Sequence, residues 1–136
     1  RTFASVAKNL SMDHVLIVHG FDGLDEITIT DSTYVAELKD NTISEYEISP
    51  KDFGLSLGTL PEISASSPDD SLQLIREAFS GDQSAVQDMI ALNAGAALYL
   101  AKKVDSIENG VELSFELMNN GMAADKLASY VRVSNS

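Results

Sequence analysis

The stretch Val15-Leu16-Ile17-Val18-His19-Gly20-Phe21-Asp22-Gly23-Leu24-Asp25-Glu26 decides how the rest of the chain is read. A run of β-branched residues and leucine that stops at glycine reads as a buried strand. Residues 14–18 are therefore assigned to a strand, and His19 to Glu26 to the turn at its carboxyl end. In open α/β sheets, ligands bind in the crevice beyond such strand ends. Gly20 and Gly23 admit backbone conformations closed to other residues, so the chain can turn sharply or approach a ligand there. Asp25 and Glu26 then project from the turn as a pair of hard oxygen donors. Magnesium is commonly held by one or two carboxylates with waters and substrate phosphates, so the pair suits Mg²⁺ on a phosphorylated substrate. Asp and Gly are also the usual residues of a solvated turn, and spacing alone leaves that plainer reading open.

Moving outward on the N-terminal side, Phe3, Val6, Ala7 and Leu10 recur at helical spacing and predict an amphipathic helix with one apolar stripe. No initiator methionine or capping segment precedes that stripe, so the chain reads as a piece of a longer protein. A helix feeding a strand this directly is the pattern of α/β architecture. His14 reads as a strand-boundary residue. His19, at the other end, is expected to tie the turn down through a backbone hydrogen bond rather than to act as an acid or base.

On the C-terminal side, Ile27-Thr28-Ile29-Thr30 alternates apolar and polar side chains and predicts a short strand. Residues 34–39 and 43–48 flank Asp40-Asn41, a pair that tolerates the positive φ angles of a type I′ turn, and so predict an antiparallel hairpin. Glu37, Lys39, Glu45 and Glu47 are expected on its surface, keeping an edge soluble. Ser49-Pro50-Lys51-Asp52 has the layout of a capped helical turn ended by Gly54, and residues 55–67 read as an irregular connection.

Ser67 and Pro68 open a helix over residues 68–80. Val86, Ile90, Asn93, Ala97, Leu100 and Val104 then mark one long helix with a buried face. Asn93 interrupts that face and is expected to tie the helix to a neighbouring backbone, because an unpaired buried amide is costly. Ala91, Ala94, Gly95, Ala96 and Ala97 leave room for another element to approach closely. Ser106 caps a further helix, Asn120-Gly121 ends it, and Ala124, Leu127 and Val131 mark a last one. The fold class is thus α/β: part of a mixed sheet with an antiparallel hairpin, covered by helices, and a helical C-terminal half.

At 136 residues with 44% hydrophobic content the chain can bury one domain's core. It has no run approaching a membrane span and no leader pattern, so a soluble, cytoplasmic protein is expected. The lack of cysteine rules out disulfides and thiolate metal sites, and two histidines argue against a histidine-rich zinc site. A net charge of −12 with nine Lys and Arg argues against nucleic acid as a partner.

The residues His19 to Glu26 resemble the His-Gly-x-Asp-Gly-Leu-Asp-Glu signature of the anthranilate phosphoribosyltransferase family. Val35-Ala36-Glu37-Leu38, the stretch Ser49 to Leu55, Leu92-Asn93-Ala94 and Ala96-Ala97-Leu98-Tyr99 are similar to later family blocks. The stretch Ser64 to Leu72 departs from the family pattern. The resemblance implies residues 1–136 to be the C-terminal portion of a large α/β phosphoribosyltransferase domain, with the N-terminal helical domain and the glycine-rich phosphate loop lying upstream. It implies transfer of phosphoribosyl from phosphoribosyl pyrophosphate to anthranilate in tryptophan biosynthesis, by a homodimer when full length. In that setting Asp25 and Glu26 hold Mg²⁺, Gly20, Asp22 and Gly23 shape the substrate loop, no residue here serves as a general base, and the piece alone is inactive. Two alternatives share the fold: a pyrimidine nucleoside phosphorylase-like enzyme and a non-catalytic binding module.

Overall fold

The computed structural model describes residues 1–135. Three strands, β1 (His14–Gly20), β2 (Thr33–Lys39) and β3 (Thr42–Ile48), form a sheet in the order β1-β2-β3 with every pairing antiparallel. The hairpin turn falls where expected: Asp40 and Asn41 adopt φ of 49° and 61°, the conformation a two-residue type I′ connection requires. In this sheet β2 is the central strand and β3 an edge.

Six α-helices surround the sheet: α1 (Thr2–Asn9), α2 (Leu60–Ile63), α3 (Pro68–Ala78), α4 (Ala85–Leu100), α5 (Ile107–Asn119) and α6 (Met122–Ser134). A 3-10 turn, Pro50–Phe53, follows β3 with Ser49 and Asp52 forming a reciprocal cap and Gly54 left-handed behind it. Ser67, Ser84 and Ser106 each accept a hydrogen bond from the third helical amide of α3, α4 and α5, which fixes where those helices begin. The core joins Val35 and Ile48 of the sheet with Ile27, Ile29, Leu55, Ala91, Leu92, Ala96, Val111 and Met118.

The small residues of α4 work as the sequence implied. A Cβ on Gly95 would lie 2.6 Å from the Val111 nitrogen and 2.9 Å from the Gly110 carbonyl carbon, so α4 and α5 cross with backbones in contact. The α4 helix ends at Leu100 rather than running on to Val104, because the chain turns left-handed at Lys102, where φ is 55°.

The structure corrects four further expectations about these elements. First, α1 forms, but it buries Ala4 and Ala7, while Phe3 and Leu10 of the expected stripe are 73% and 71% exposed. Second, Leu60–Ile63 is helical within the supposed irregular stretch, because Thr59 and Glu62 cap each other. Third, residues 27–30 are no strand. Both isoleucines are buried, but the backbone is claimed by side chains: the Thr28 amide donates to Thr33 Oγ1 and the Thr30 amide to Thr28 Oγ1. Alternation in the sequence reported two buried anchors, each worth about 1.5–3 kcal/mol, and not a ladder.

Fourth, Glu37 is no solvated edge charge. It lies in the central strand and is 8% exposed. Its carboxylate takes His14 Nε2 at 2.7 Å and accepts hydrogen bonds from the Tyr99 and Tyr46 hydroxyls at 2.9 Å each. Lys39 donates to the Tyr99 hydroxyl at 2.9 Å and sits over that ring. Burial alone would raise the Glu37 carboxyl's pKa, but the hydrogen bonds from His14, Tyr99 and Tyr46 outweigh it and hold the group below the usual glutamate range. His14 is accordingly half-buried in this network at the start of β1, the end away from the acidic turn.

Candidate metal and substrate site

The acidic turn leaves β1 at Gly20 and is built around one side chain. Asp22 Oδ1 accepts the Leu24 amide at 3.0 Å, and Oδ2 accepts the Thr28 hydroxyl at 2.6 Å and the Thr30 hydroxyl. The first is a local Asx-type bond to the residue two positions on. The others pull residues 28–30 under the turn. Partial burial pushes the Asp22 carboxyl up, yet the bonds from Thr28, Thr30 and Leu24 win and keep it below the ordinary aspartate range, so it stays ionised. The backbone closes the same loop: the Gly20 amide donates to the Leu24 carbonyl and the Gly23 amide to the Gly20 carbonyl, both at 2.9 Å.

Both glycines are required by this geometry. A Cβ on Gly20 would lie 2.5 Å from Asp22 Oδ1 and 3.1 Å from Thr28 Cγ2, displacing the carboxylate that organises the turn. Gly23 has φ of 97°, a conformation costly for any side chain. His19, expected to tie the turn down, is exposed and takes no part in these bonds; Asp22 does that work instead.

Asp25 and Glu26 follow at the surface, both exposed. Burial first, and then the neighbouring Asp25 charge, raise the Glu26 carboxyl above its ordinary value. No group of three potential metal ligands occurs among the described residues. Two carboxylates are the protein share of ligands that a magnesium ion completed by water and phosphate oxygens would need.

The far side of the pair is held by α4. Asn93 Oδ1 accepts the Ile27 amide at 3.0 Å, and its Nδ2 donates to the Ile27 carbonyl at 2.8 Å and to the Met89 carbonyl at 3.0 Å. The expected tie to a neighbouring backbone thus lands on the residue directly after Glu26. Sequence reading missed Thr28 and Thr30, whose hydroxyls were absorbed into a strand assignment. Their spacing from Asp22 across a glycine turn was the available signal.

The model of the glycosyl transferase family, a/b domain, matches residues 1–124. Anthranilate phosphoribosyltransferases of Vesicomyosocius okutanii and Halorhodospira halophila are 45% and 47% identical, each over 96% of this chain. This chain spans 39% and 38% of their respective lengths. Among solved structures, the crystal structure of anthranilate phosphoribosyltransferase from Thermus thermophilus matches with a TM-score of 0.86 at 29% identity, over 98% of this chain and 39% of that one. The Saccharomyces cerevisiae enzyme in complex with PRPP and Mg matches at 0.83 and 23% identity, over 98% of this chain and 39% of that one, and shares the fold. With nine-tenths of its residues inside the family match, the chain belongs to the glycosyl transferase family, as its a/b domain.

Proposed function

We propose that these residues form the C-terminal part of an anthranilate phosphoribosyltransferase, with Asp25 and Glu26 as magnesium ligands beside the pyrophosphate of phosphoribosyl pyrophosphate. The observation that carries this reading is the arrangement at the carboxyl end of β1, where a side-chain-braced glycine turn is followed by two exposed carboxylates adjacent in sequence. The relatives named for this activity, at 45% and 47% identity, support it.

Magnesium, when bound, would offset charge developing on the departing pyrophosphate. The chain's own contribution is placement. Asp22 stays ionised and clamps Leu24, Thr28 and Thr30, Gly20 leaves space for that carboxylate, and Asp25 and Glu26 follow exposed at the strand end. Gly20, Asp22 and Gly23 are in this reading the frame of the substrate loop. No residue here is assigned as a general base, and the family resemblance implies that the phosphate-gripping loop and most anthranilate contacts lie in the part of such an enzyme that this chain does not span. The piece alone is then inactive, and the full-length enzyme is a cytoplasmic homodimer. No helix among the described residues is long and apolar enough to cross a membrane.

A substrate screen on the full-length enzyme tests the reading. Anthranilate fluorescence should fall when phosphoribosyl pyrophosphate and Mg²⁺ are supplied together. Release of base from a pyrimidine nucleoside in phosphate, with no loss of anthranilate, would replace the transferase reading with a phosphorylase one.

A further inference from the structure

We propose that Asn93 is a positioning residue for the Asp25 and Glu26 pair, an inference that rests on the metal reading of that pair. The pair occupies the two positions between Leu24, whose amide is held by Asp22, and Ile27, whose amide and carbonyl are both held by Asn93. Asp22 belongs to the turn itself and moves with it. Asn93 does not: it stands on α4, is braced by its own bond to the Met89 carbonyl, and follows the fully buried Leu92. It therefore adds a polar tie to the buried Ile27 side chain in fixing the turn's exit against the helical layer.

The anchoring is strict because of burial. Ile27 is 3% exposed and its two bonds to Asn93 are part-buried, so losing the Asn93 amide removes the protein partner of both backbone groups at once. With both flanks held, the backbone of residues 25–26 has little freedom left, and two carboxylates already placed give up less order on binding an ion. Partners that orient metal ligands commonly change metal affinity by roughly 10–100-fold when removed. Asn93 is 66 residues from Ile27 in sequence, and the chemistry it serves is invisible in its own neighbourhood.

The test is a Mn²⁺ titration of the full-length enzyme with inorganic pyrophosphate present, read as paramagnetic broadening of the backbone amide signals of residues 24–27, together with relaxation of the Asp25 and Glu26 amides and the thermal midpoint. Three variants accompany the wild type. Glu26→Gln should abolish the localised broadening. Asn93→Ala should need about tenfold more Mn²⁺ and give Asp25 and Glu26 faster, larger motion. Gln87→Ala is the control: it strips another buried amide of α4 from the Ala78 carbonyl and Asn119, far from the turn in sequence, and should lower the midpoint without moving the Mn²⁺ curve. Should Asn93→Ala fail to fold, Asn93→Gln, which keeps the amide on a longer arm, is expected to weaken Mn²⁺ in the same way.

A wild-type Mn²⁺ curve for the Asn93 variant overturns the positioning role, as does an equal weakening by Gln87→Ala. Absence of localised broadening in the wild type, or a wild-type curve for Glu26→Gln, overturns the metal reading itself, and the positioning role falls with it. Failure of the two is thus distinguishable.

Discussion

Replacing Glu37 separates the buried network from the solvated edge that the sequence suggested. In Glu37→Ala the His14 ring and the Tyr46 and Tyr99 hydroxyls lose their shared acceptor in a site that is 8% exposed. Leaving buried donors without their acceptor costs about 1–3 kcal/mol. Glu37→Gln keeps one acceptor oxygen but removes the charge. Hydrogen bonds to a charged acceptor contribute about 1 kcal/mol more than neutral ones, so three such bonds lose about 3 kcal/mol, offset in part because a neutral amide is cheaper to bury. A net loss near 2 kcal/mol follows for Gln.

The pH dependence has a definite sign. The folded-state pKa of Glu37 is depressed, so its contribution is complete above the unfolded glutamate value and is lost as pH falls through the folded one. The gap between wild type and Glu37→Gln should therefore be widest near neutrality and narrow at acid pH. Urea unfolding followed by circular dichroism at several pH values measures this as a shift in midpoint at constant slope. A Glu37→Ala variant within about 0.5 kcal/mol of wild type at pH 7 would refute the network and restore the surface-charge reading.

Gly95→Ala should destabilise the chain by about 2 kcal/mol: the helix gains about 1 kcal/mol of propensity, but the new methyl meets backbone atoms of α5 and overpacking costs about 3 kcal/mol. A urea midpoint at or above wild type would show that the α4 and α5 crossing is looser. Asn41→Gly, at a turn position with φ of 61°, should gain up to about 0.5–1 kcal/mol by removing left-handed strain, readable as a higher thermal midpoint. Asp88 is buried with no hydrogen-bond partner for Oδ1 among the described residues, and burial pushes its carboxyl up. A raised folded-state acid costs stability above its pKa and recovers it as pH falls, so Asp88→Asn should equal or exceed the wild-type midpoint at pH 7 and lose any advantage in acid. A lowered midpoint at pH 7 would show that the charge is stabilised.

Local signals carried much of this fold. Serine caps placed the starts of α3 and α5, Asp40-Asn41 placed the hairpin, and the glycine-rich end of β1 placed the acidic turn, because each is decided by residues within a few positions of one another. What was not legible depends on contacts distant in sequence. The alternation of Ile27 to Thr30 is the same in a strand and in a segment whose hydroxyls and amides are spoken for by Asp22, Thr33 and Asn93. Glu37 reads as a hairpin charge until Tyr99, 62 residues on, closes over it. In the site, Asp22, Asp25 and Glu26 were legible as a cluster, whereas the division of labour was not: one acid braces the turn and two face outward.

The most direct measurement is kcat/KM for phosphoribosyl transfer against Mg²⁺ concentration, in the full-length enzyme and its Glu26→Gln variant. Gln keeps the size and hydrogen-bonding capacity of the side chain and removes only its charge. Loss of one preorganised electrostatic contact predicts a fall on the order of 10²-fold and an altered Mg²⁺ dependence. The thermal midpoint should hardly change, because Glu26 is exposed and outside the core. Superimposable Mg²⁺ curves for the two proteins would contradict the assignment and leave Glu26 as a solvating charge on a turn.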